Sequence, residues 1–212
     1  MKVLNLYACL GGNRLLWDNC EVTAVELDPE LAKMYQERFP NDNVVVADAH
    51  QYLLDHYKEF DFIWSSPPCP THSRVRFSQH TRDSHVPLYP DMKLYQEIIF
   101  LDNYFKGKYV VENVISYYDP LIQPQEIGRH YYWANFKIIP PKTIRKVSIG
   151  AGTDEVKRLE KFHKIDLSGY KGTQRKDKIA RNLVDYEVGK HIFDIARGIY
   201  NHNNNKQGEL FS

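Results

Sequence analysis

Two short segments carry the residue types that could form and break a covalent bond to a planar ring. Cys69 follows the apolar run at residues 62–64, and Glu112 follows another apolar run at residues 109–111. Such runs are typical of buried parallel strands, which present their ligand-binding residues at their carboxyl ends. A thiol can attack a ring while a carboxyl group supplies a proton. The sequence therefore predicts a catalytic pair at one edge of a sheet.

The surroundings of both residues leave alternatives open. Prolines 67, 68 and 70 hold the backbone of Cys69 outside any helix. This segment could instead be a proline-rich docking peptide, or half of a zinc site with His72. A docking peptide would be an exposed linker rather than the end of a strand. A zinc site would need two further ligands, so we expect no metal. Glu112 could be a structural partner of a Lys or Arg, but burial at a strand end would raise its pKa and keep a proton available.

A nucleoside-binding pattern lies upstream of the catalytic pair. Gly11 and Gly12 follow the first predicted strand, where glycines let backbone amides approach a ligand. Glu26 ends the second predicted strand, in position for ribose hydroxyls, and Asp48 follows the third, in position for an adenine amine. The alternative is a tight turn followed by two helix-capping carboxylates. Together the residues predict a nucleoside cofactor pocket.

Apolar runs alternate with helical stretches over the first two thirds of the 212 residues, as in a doubly wound α/β domain. The predicted strands are residues 2–7, 21–26, 44–46, 61–65, 109–111 and 131–138. The predicted helices are a short one that opens at Gly11 and Gly12, then residues 29–39, 91–105 and 184–200. We predict a Rossmann-like sheet in residues 1–138 and 179–200, a small basic lobe at 139–178 and a flexible tail at 201–212.

The charge is unevenly distributed along the chain. Residues 137–181 contain thirteen Lys or Arg and five acids, a local charge of +8 in a chain whose net charge is +1. Such asymmetry favours a polyanionic partner. The long loop after Cys69 is also basic and is long enough to be functional. The predicted nucleic-acid contacts are Ser73, Arg74, Arg76, Arg82, Lys142, Arg145, Lys146, Lys171, Arg175 and Lys176.

In this order the motifs resemble the S-adenosylmethionine-dependent DNA cytosine-5 methyltransferases, above all the small phage-type members. The resemblance covers residues 3–135 and 175–200. It rests on six features in order: the glycine turn at residues 11 and 12, the acids at residues 26 and 48, Pro-Pro-Cys at residues 67–69, Glu-Asn-Val at residues 112–114, the strand that begins near Arg129, and Asn-Leu-Val at residues 182–184. Cys9, Pro70, Tyr131 and Leu183 depart from the family pattern.

The resemblance implies roles for individual residues. Cys69 matches the nucleophile, Glu112 the residue that engages the cytosine ring, Asn113 its support and Arg129 an arginine near the target base. S-adenosyl-L-methionine is the implied cofactor. Its implied contacts are Tyr7, Leu10, Gly11, Gly12, Glu26, Leu27, Asp48, Pro67, Asn182 and Val184.

The implied activity is methyl transfer to carbon 5 of cytosine in double-stranded DNA, through a covalent cysteine adduct on a flipped-out base. The alternatives are an RNA (tRNA) cytosine-5 methyltransferase, an inactive nucleic-acid-binding homologue and a dinucleotide-dependent oxidoreductase. The peptide from Gln207 to Phe211 resembles those that bind bacterial sliding clamps. No apolar run approaches the ~20 residues of a membrane span, so we expect a cytoplasmic or nucleoid-associated protein in a bacterial host cell.

Overall fold

The computed structural model describes residues 1–77, 87–149 and 154–199, which form a seven-stranded mixed sheet flanked by helices. The strands are β1 (Lys2–Leu6), β2 (Glu21–Glu26), β3 (Asn43–Val46), β4 (Phe62–Ser65), β5 (Lys108–Val114), β6 (Gln125–Ile127) and β7 (His130–Ala134). Their order across the sheet is β3-β2-β1-β4-β5-β7-β6. The α/β class predicted from the sequence is confirmed.

The helices alternate with the parallel strands and then form the last part of the described chain. They are α1 (Pro29–Arg38), α2 (Ala49–His56), α3 (Lys93–Tyr104), α4 (Glu155–His163), α5 (Lys176–Arg181) and α6 (Tyr186–Ala196). The predicted start of α1 is correct because Asp28 accepts a hydrogen bond from the backbone of Glu30 at 2.9 Å and a proline occupies the first turn.

The sheet has a switch point beside β1. The chain runs outwards from β1 to β2 and β3, then returns to place β4 on the other side of β1 and β5 beyond it. Strands β1 to β5 are parallel, so their carboxyl ends share one edge, while β6 and β7 are antiparallel. Open α/β sheets bind ligands in the crevice at such a point.

Both faces of the sheet are covered by apolar side chains. Leu94, Ile98 and Leu101 of α3 pack on one face, together with Leu6 and Val111 of the sheet. On the other face, Phe193 of α6 stacks on Trp17 at 4.9 Å between ring centroids and packs against Phe62. Complete burial of Phe62 or Phe193 contributes about 1.5–3 kcal/mol each. This core fixes the positions of the strand ends.

Several local predictions differ from the structure, among them the strand predicted at 131–138, which ends at Ala134, and the helix predicted at 184–200, which spans Tyr186–Ala196. The short helix after Gly11 and Gly12 is wrong, because residues 12–16 form consecutive turns. The Arg14 side chain donates to the carbonyl of Trp17 at 2.8 Å, and side-chain bonds of this kind compete with helical hydrogen bonds. Strand β5 continues through Glu112 and Asn113 because β7 pairs with it there. The short strand β6 was not predicted.

Residues 154–183 pack closely against the start of the domain. Leu159 of α4, Leu167 and Ile179 of α5 are buried together with Leu10 and Leu31. The basic segment therefore covers the turn after β1 in the described structure. None of the helices in residues 1–77, 87–149 and 154–199 is both long and apolar enough to span a membrane.

Candidate active site

Neighbouring strands bring Cys69 and Glu112 to the same edge of the sheet. Strands β4 and β5 pair in parallel, with Ser65 opposite Val111. Glu112 is the next residue of β5, and Cys69 lies four residues after Ser65 in the loop that leaves β4. The Glu112 carboxylate is close enough to raise the pKa of the Cys69 thiol. The two groups predicted to act together are therefore electrostatically coupled.

Hydrogen bonds hold the loop of Cys69 onto β5. The buried Asn113 donates from Nδ2 to the carbonyl of Pro67 at 2.9 Å. The Ser66 hydroxyl accepts from Nε1 of Trp64 at 2.9 Å and lies close enough to the Glu112 carboxylate to favour its charged form. These contacts restrict the position of the thiol relative to the carboxyl group.

The Cys69 side chain is partly buried and protonated at neutral pH. Burial, followed by the Glu112 carboxylate, raises the pKa of the thiol to about 11. Its Sγ atom donates a hydrogen bond to Oδ1 of Asn182 at 4.0 Å. The segment at residues 182–184, expected to close the cofactor site, thus also reaches the catalytic cysteine.

Burial also raises the pKa of Glu112. The side chain of His130 opposes this effect, with Nε2 at 3.6 Å from Oε1 of Glu112. A carboxyl group with a raised pKa can carry a proton to a substrate near neutral pH. Arg129, which the resemblance assigns to the target base, is exposed in the turn between β6 and β7.

Glu26 is nearly buried at the carboxyl end of β2 and binds the turn after β1. Its Oε2 accepts from the backbone N–H of Cys9 at 2.8 Å, and Oε1 accepts from that of Asp28 at 2.9 Å. Each carboxylate oxygen keeps a further lone pair for a ligand hydroxyl. Cys9 has φ +47°, a left-handed conformation that suits glycine, the residue that the family pattern has there.

The predicted cofactor turn is packed against the residues that follow α5. A Cβ atom at Gly12 would come within 2.5 Å of the carbonyl oxygen of Val184, so only glycine allows this approach. Gly11 has φ +64°. The carbonyl of Leu10 accepts from Nη1 of Arg38 at 2.7 Å. The structure therefore brings together the two segments that the resemblance assigns to the cofactor.

The remaining predicted cofactor residues lie around the same crevice. Tyr7, at φ +56°, ends β1 with a partly buried ring. Leu27 is 66% exposed directly after β2. Asp48 caps α2 by accepting from the backbone of Gln51 at 3.0 Å, and about half of its side chain is exposed. The second Asp48 oxygen, Oδ2, lies 3.9 Å from Nζ of Lys93.

A cavity of about 290 Å³ is lined by His130, whose Nε2 lies 3.6 Å from Oε1 of Glu112, but neither Cys69 nor Glu112 lines it. It is lined by the turn at Arg129, by His130, by Lys146 and by His163 of α4, with apolar side chains between them. Nδ1 of His163 is buried and has no hydrogen-bond partner among the described residues. Burial lowers the pKa of His163 to about 4, so the ring is neutral at pH 7. A neutral imidazole can donate or accept a hydrogen bond.

The predicted nucleic-acid contacts fall into two groups. Lys142, Lys146, Lys171 and Arg175 are exposed, although Arg175 also donates to the two carboxylate oxygens of Asp177 at 3.0 and 2.8 Å. Arg145 is engaged within the protein, because its Nη2 contacts Oδ1 of Asp185 at 2.5 Å.

The other predicted contacts contribute to local structure or lie outside the described residues. Nε of Arg74 donates to the carbonyl of Ser116 at 3.0 Å, and Ser73 forms an isolated bridge to Ser116. Lys176 donates to the carbonyl of Ser168 at 3.3 Å. Arg82, the side chain of Arg76 and the peptide from Gln207 to Phe211 lie outside the described residues.

Two residues of this site were not predicted. His130 belongs to the arginine segment, but its approach to Glu112 depends on the register of β7. Glu97 is a buried acid on the apolar face of α3, between Leu94 and Ile98. An acid at this position of an apolar helical stripe was a detectable signal, because acids are almost never fully buried without a partner.

The fold is that of a methyltransferase. The solved structure of the Entamoeba histolytica methyltransferase EhMeth covers 95% of this chain and 99% of its own at a TM-score of 0.54 and 11% identity. An S-adenosylmethionine-dependent methyltransferase from Agrobacterium tumefaciens covers 56% of this chain and 40% of its own, with a TM-score of 0.41 and 16% identity. These similarities concern the fold alone.

Sequence comparison identifies the family. The family model described as C-5 cytosine-specific DNA methylase matches residues 1–115, more than half of the chain, which therefore belongs to this family. A mutant of Spodoptera frugiperda DNMT2 is 24% identical over 53% of this chain, with a TM-score of 0.37. The match spans about a third of the DNMT2 chain, 35%. No curated protein matches the chain.

Family membership implies S-adenosylmethionine as the cofactor, and the described residues fit this group. The buried Glu26 carboxylate has acceptor capacity for ribose hydroxyls, and the half-exposed Asp48 carboxylate, beside Lys93, keeps acceptor capacity for an adenine amine. The left-handed turn after β1 allows backbone approach.

Proposed function

We propose that this protein methylates carbon 5 of cytosine in DNA through a covalent adduct with Cys69 on a flipped-out base. One observation carries the proposal. The thiol of Cys69 and the carboxyl group of Glu112 are held at adjacent strand ends, close enough to influence each other's charge, beside the cofactor-fitting crevice of Glu26.

The pair supplies the two functions that an aromatic pyrimidine needs. Carbon 5 of cytosine is a poor nucleophile until the ring is made electron-rich. The Cys69 thiol loses its proton to water, and the thiolate adds to carbon 6, forming a carbon–sulfur bond, while Glu112 gives a proton to ring nitrogen 3, which returns it when Cys69 leaves. Carbon 5 then takes the methyl group. Loss of the proton from carbon 5 expels Cys69 and restores the double bond.

The raised pKa of Glu112 fits its role as the proton donor. Burial favours the protonated form of Glu112, the form that can donate to ring nitrogen 3. Once Glu112 is neutral, the charge that disfavours the Cys69 thiolate is removed. His130 approaches Glu112 at 3.6 Å and adjusts the balance between its two forms.

S-adenosylmethionine supplies an electrophilic methyl group on a sulfonium. The chain's part is to bind and orient this cofactor. Glu26 accepts from the ribose, Asp48 from the adenine amine, and Tyr7 packs on the adenine. Leu27 adds an apolar contact. The backbones of Leu10, Gly11, Gly12 and Pro67, with Asn182 and Val184, enclose the remainder.

Nucleic-acid binding is supported by the exposed cations and by the cavity that Arg129, His130 and Lys146 line. Lys142, Lys146, Lys171 and Arg175 extend from the segment that follows the sheet. Their phosphate contacts would supply affinity that weakens with salt. Flipping the base out of a duplex costs a few kcal/mol. Arg129, at the rim of the cavity, is placed to contact the flipped nucleotide, and residues 139–178 select the target sequence.

Methyl incorporation tests the proposal and its RNA alternative together. The protein is incubated with labelled S-adenosylmethionine and either unmethylated genomic DNA or total RNA, and 5-methylcytosine is mapped at base resolution. We expect methylation of DNA at one short recurring sequence, and none with Cys69→Ala. Methylation of RNA alone would support the alternative, while a methylating Cys69→Ala variant would contradict the cysteine mechanism.

A further inference from the structure

Glu97 is a buried carboxylate that the proposed chemistry does not use. It lies on the face of α3 that packs on the sheet, near Leu94, Ile98 and Leu101. The exposed fraction of its side chain is 0%. Burying a charge in such surroundings is unfavourable unless hydrogen bonds compensate.

Three side chains from three different elements direct hydrogen-bonding atoms at this carboxylate. The Tyr7 hydroxyl donates to Oε1 at 2.5 Å, and Nδ1 of His50 lies 2.9 Å from the same oxygen. The Ser65 hydroxyl donates to Oε2 at 2.5 Å. Burial and the Glu97 carboxylate raise the pKa of Tyr7, so its hydroxyl stays protonated and donates.

The three partners all lie at the ligand-binding edge of the sheet. Tyr7 follows β1, Ser65 ends β4, and His50 is in the first turn of α2 beside Asp48. Ser65 is also the last residue before the loop that carries Cys69. One carboxylate therefore connects the two strand ends on either side of the switch point.

A second carboxylate on α3 provides a natural comparison. Asp102, near the carboxyl end of the helix, accepts from the hydroxyl of Tyr109 at 3.2 Å. Tyr109 is at the start of β5, on the opposite edge of the sheet. This pair attaches α3 to the sheet without touching the crevice.

We propose that Glu97 is a positioning residue that fixes the ring of Tyr7 for contact with the adenine of the cofactor. The identity of this ligand rests on the proposed function. Because Tyr7 has φ +56° and a partly buried ring, its hydroxyl bond to Glu97 restricts the ring to one orientation. Through its hydrogen bond with Ser65, the same carboxylate fixes the position of Tyr7 relative to the loop that carries Cys69.

Binding of S-adenosylhomocysteine, measured by calorimetry, tests the role without requiring methyl transfer. We expect Glu97→Gln and Tyr7→Phe to raise its Kd about tenfold, the effect of losing a hydrogen bond to a charged group. Asp102→Asn, the matched control on the same helix, should change Kd by less than about twofold. Thermal unfolding of each variant reports whether it is folded.

A double variant distinguishes an effect of the Tyr7–Glu97 contact from an effect of the Glu97 charge on the ligand. Tyr7→Phe leaves the carboxylate in place, and S-adenosylhomocysteine lacks the sulfonium charge. Because both substitutions act on one shared contact, by removing its donor or the charge of its acceptor, Tyr7→Phe with Glu97→Gln should weaken binding no more than about twofold beyond the weaker-binding single variant.

The proposal is overturned if folded Tyr7→Phe binds S-adenosylhomocysteine like the unmodified protein, whatever Glu97→Gln does. It is also overturned if Asp102→Asn weakens binding as much as the other two. Should Glu97→Gln fail to fold, the Tyr7→Phe result decides. Binding that depends on Glu97 in a protein that methylates no cytosine would reject the proposed function and leave this inference standing.

Discussion

The thiol of Cys69, the proposed nucleophile, lies in an environment that keeps it protonated. Burial is the larger cause and the Glu112 carboxylate the second, and together they raise the pKa to about 11. In the proposed mechanism, neutralising Glu112 as the substrate binds removes the second of these two causes. This coupling makes the two residues one functional unit, which can be examined without a nucleic acid.

We predict that Glu112→Gln lowers the pKa of Cys69, because it removes the negative charge that disfavours the thiolate. The measurement is the rate of iodoacetamide alkylation against pH, with the modified Cys69 peptide quantified by mass spectrometry. For the unmodified protein, the alkylation rate of Cys69 should rise with a midpoint at about pH 11. Cys20, whose own pKa is raised mainly by burial, is the internal control. An unchanged midpoint for Cys69 would contradict the coupling.

Glu112 should also make stability depend on pH. Its pKa is raised in the folded protein, so its contribution is fully present below the unfolded pKa and is lost as pH rises through the folded pKa. The Glu112→Gln variant has no carboxyl group to ionise at this position, so it does not lose this stability as pH rises. We therefore predict that the Tm of the variant minus that of the unmodified protein is larger at pH 8 than at pH 5. Equal differences at both pH values would show that the carboxyl group is not destabilised by burial.

At the scale of elements, the turn after β1 and the segment after α5 are assembled by close backbone contact. Gly12→Ala would place a Cβ atom 2.5 Å from the Val184 carbonyl oxygen. We predict a loss of about 1–3 kcal/mol in the free energy of unfolding from this overpacking. Cofactor binding should weaken as well, because residues 182–184 are displaced. Chemical denaturation and calorimetry check both effects.

Gly169 provides the matched control for this substitution, because no atom lies within 4 Å of a Cβ built there. Gly169→Ala should alter the free energy of unfolding by no more than about 0.5 kcal/mol. If Gly12→Ala were equally mild, residues 182–184 would not be held against the turn as described.

Sequence predicts the parallel strands of this fold better than its antiparallel edge. β1 to β4 are found within one residue at each end, because buried parallel strands are apolar throughout. Strand β6 has three residues and no comparable pattern. Cys69 and Glu112 are predictable because each follows an apolar run. The approach of His130 to Glu112 is not, because it depends on the register between β5 and β7.

For the whole molecule, the asymmetric charge should control association with nucleic acid. Lys146 and Lys171 are exposed in the basic segment, whereas Lys106 is exposed just before β5, at the opposite edge of the sheet. We predict that Lys146→Gln with Lys171→Gln weakens duplex binding and flattens its logarithmic salt dependence by about 0.9 per lost phosphate contact. Lys106→Gln is the control. Fluorescence anisotropy at several salt concentrations provides the measurement, and equal slopes for all three proteins would exclude this surface as the contact.

Covalent trapping tests the central claim most directly. A fluorine atom at carbon 5 of the target cytosine cannot leave as a proton does, so the final elimination stops and the cysteine adduct accumulates. With S-adenosylmethionine and a 5-fluorocytosine duplex that contains the mapped target sequence, mass spectrometry should find the methylated nucleotide attached to Cys69. Cys69→Ala should give no adduct. Methyl transfer to ordinary cytosine with no adduct, or an adduct on another residue, would contradict the proposal that Cys69 and Glu112 act on one pyrimidine.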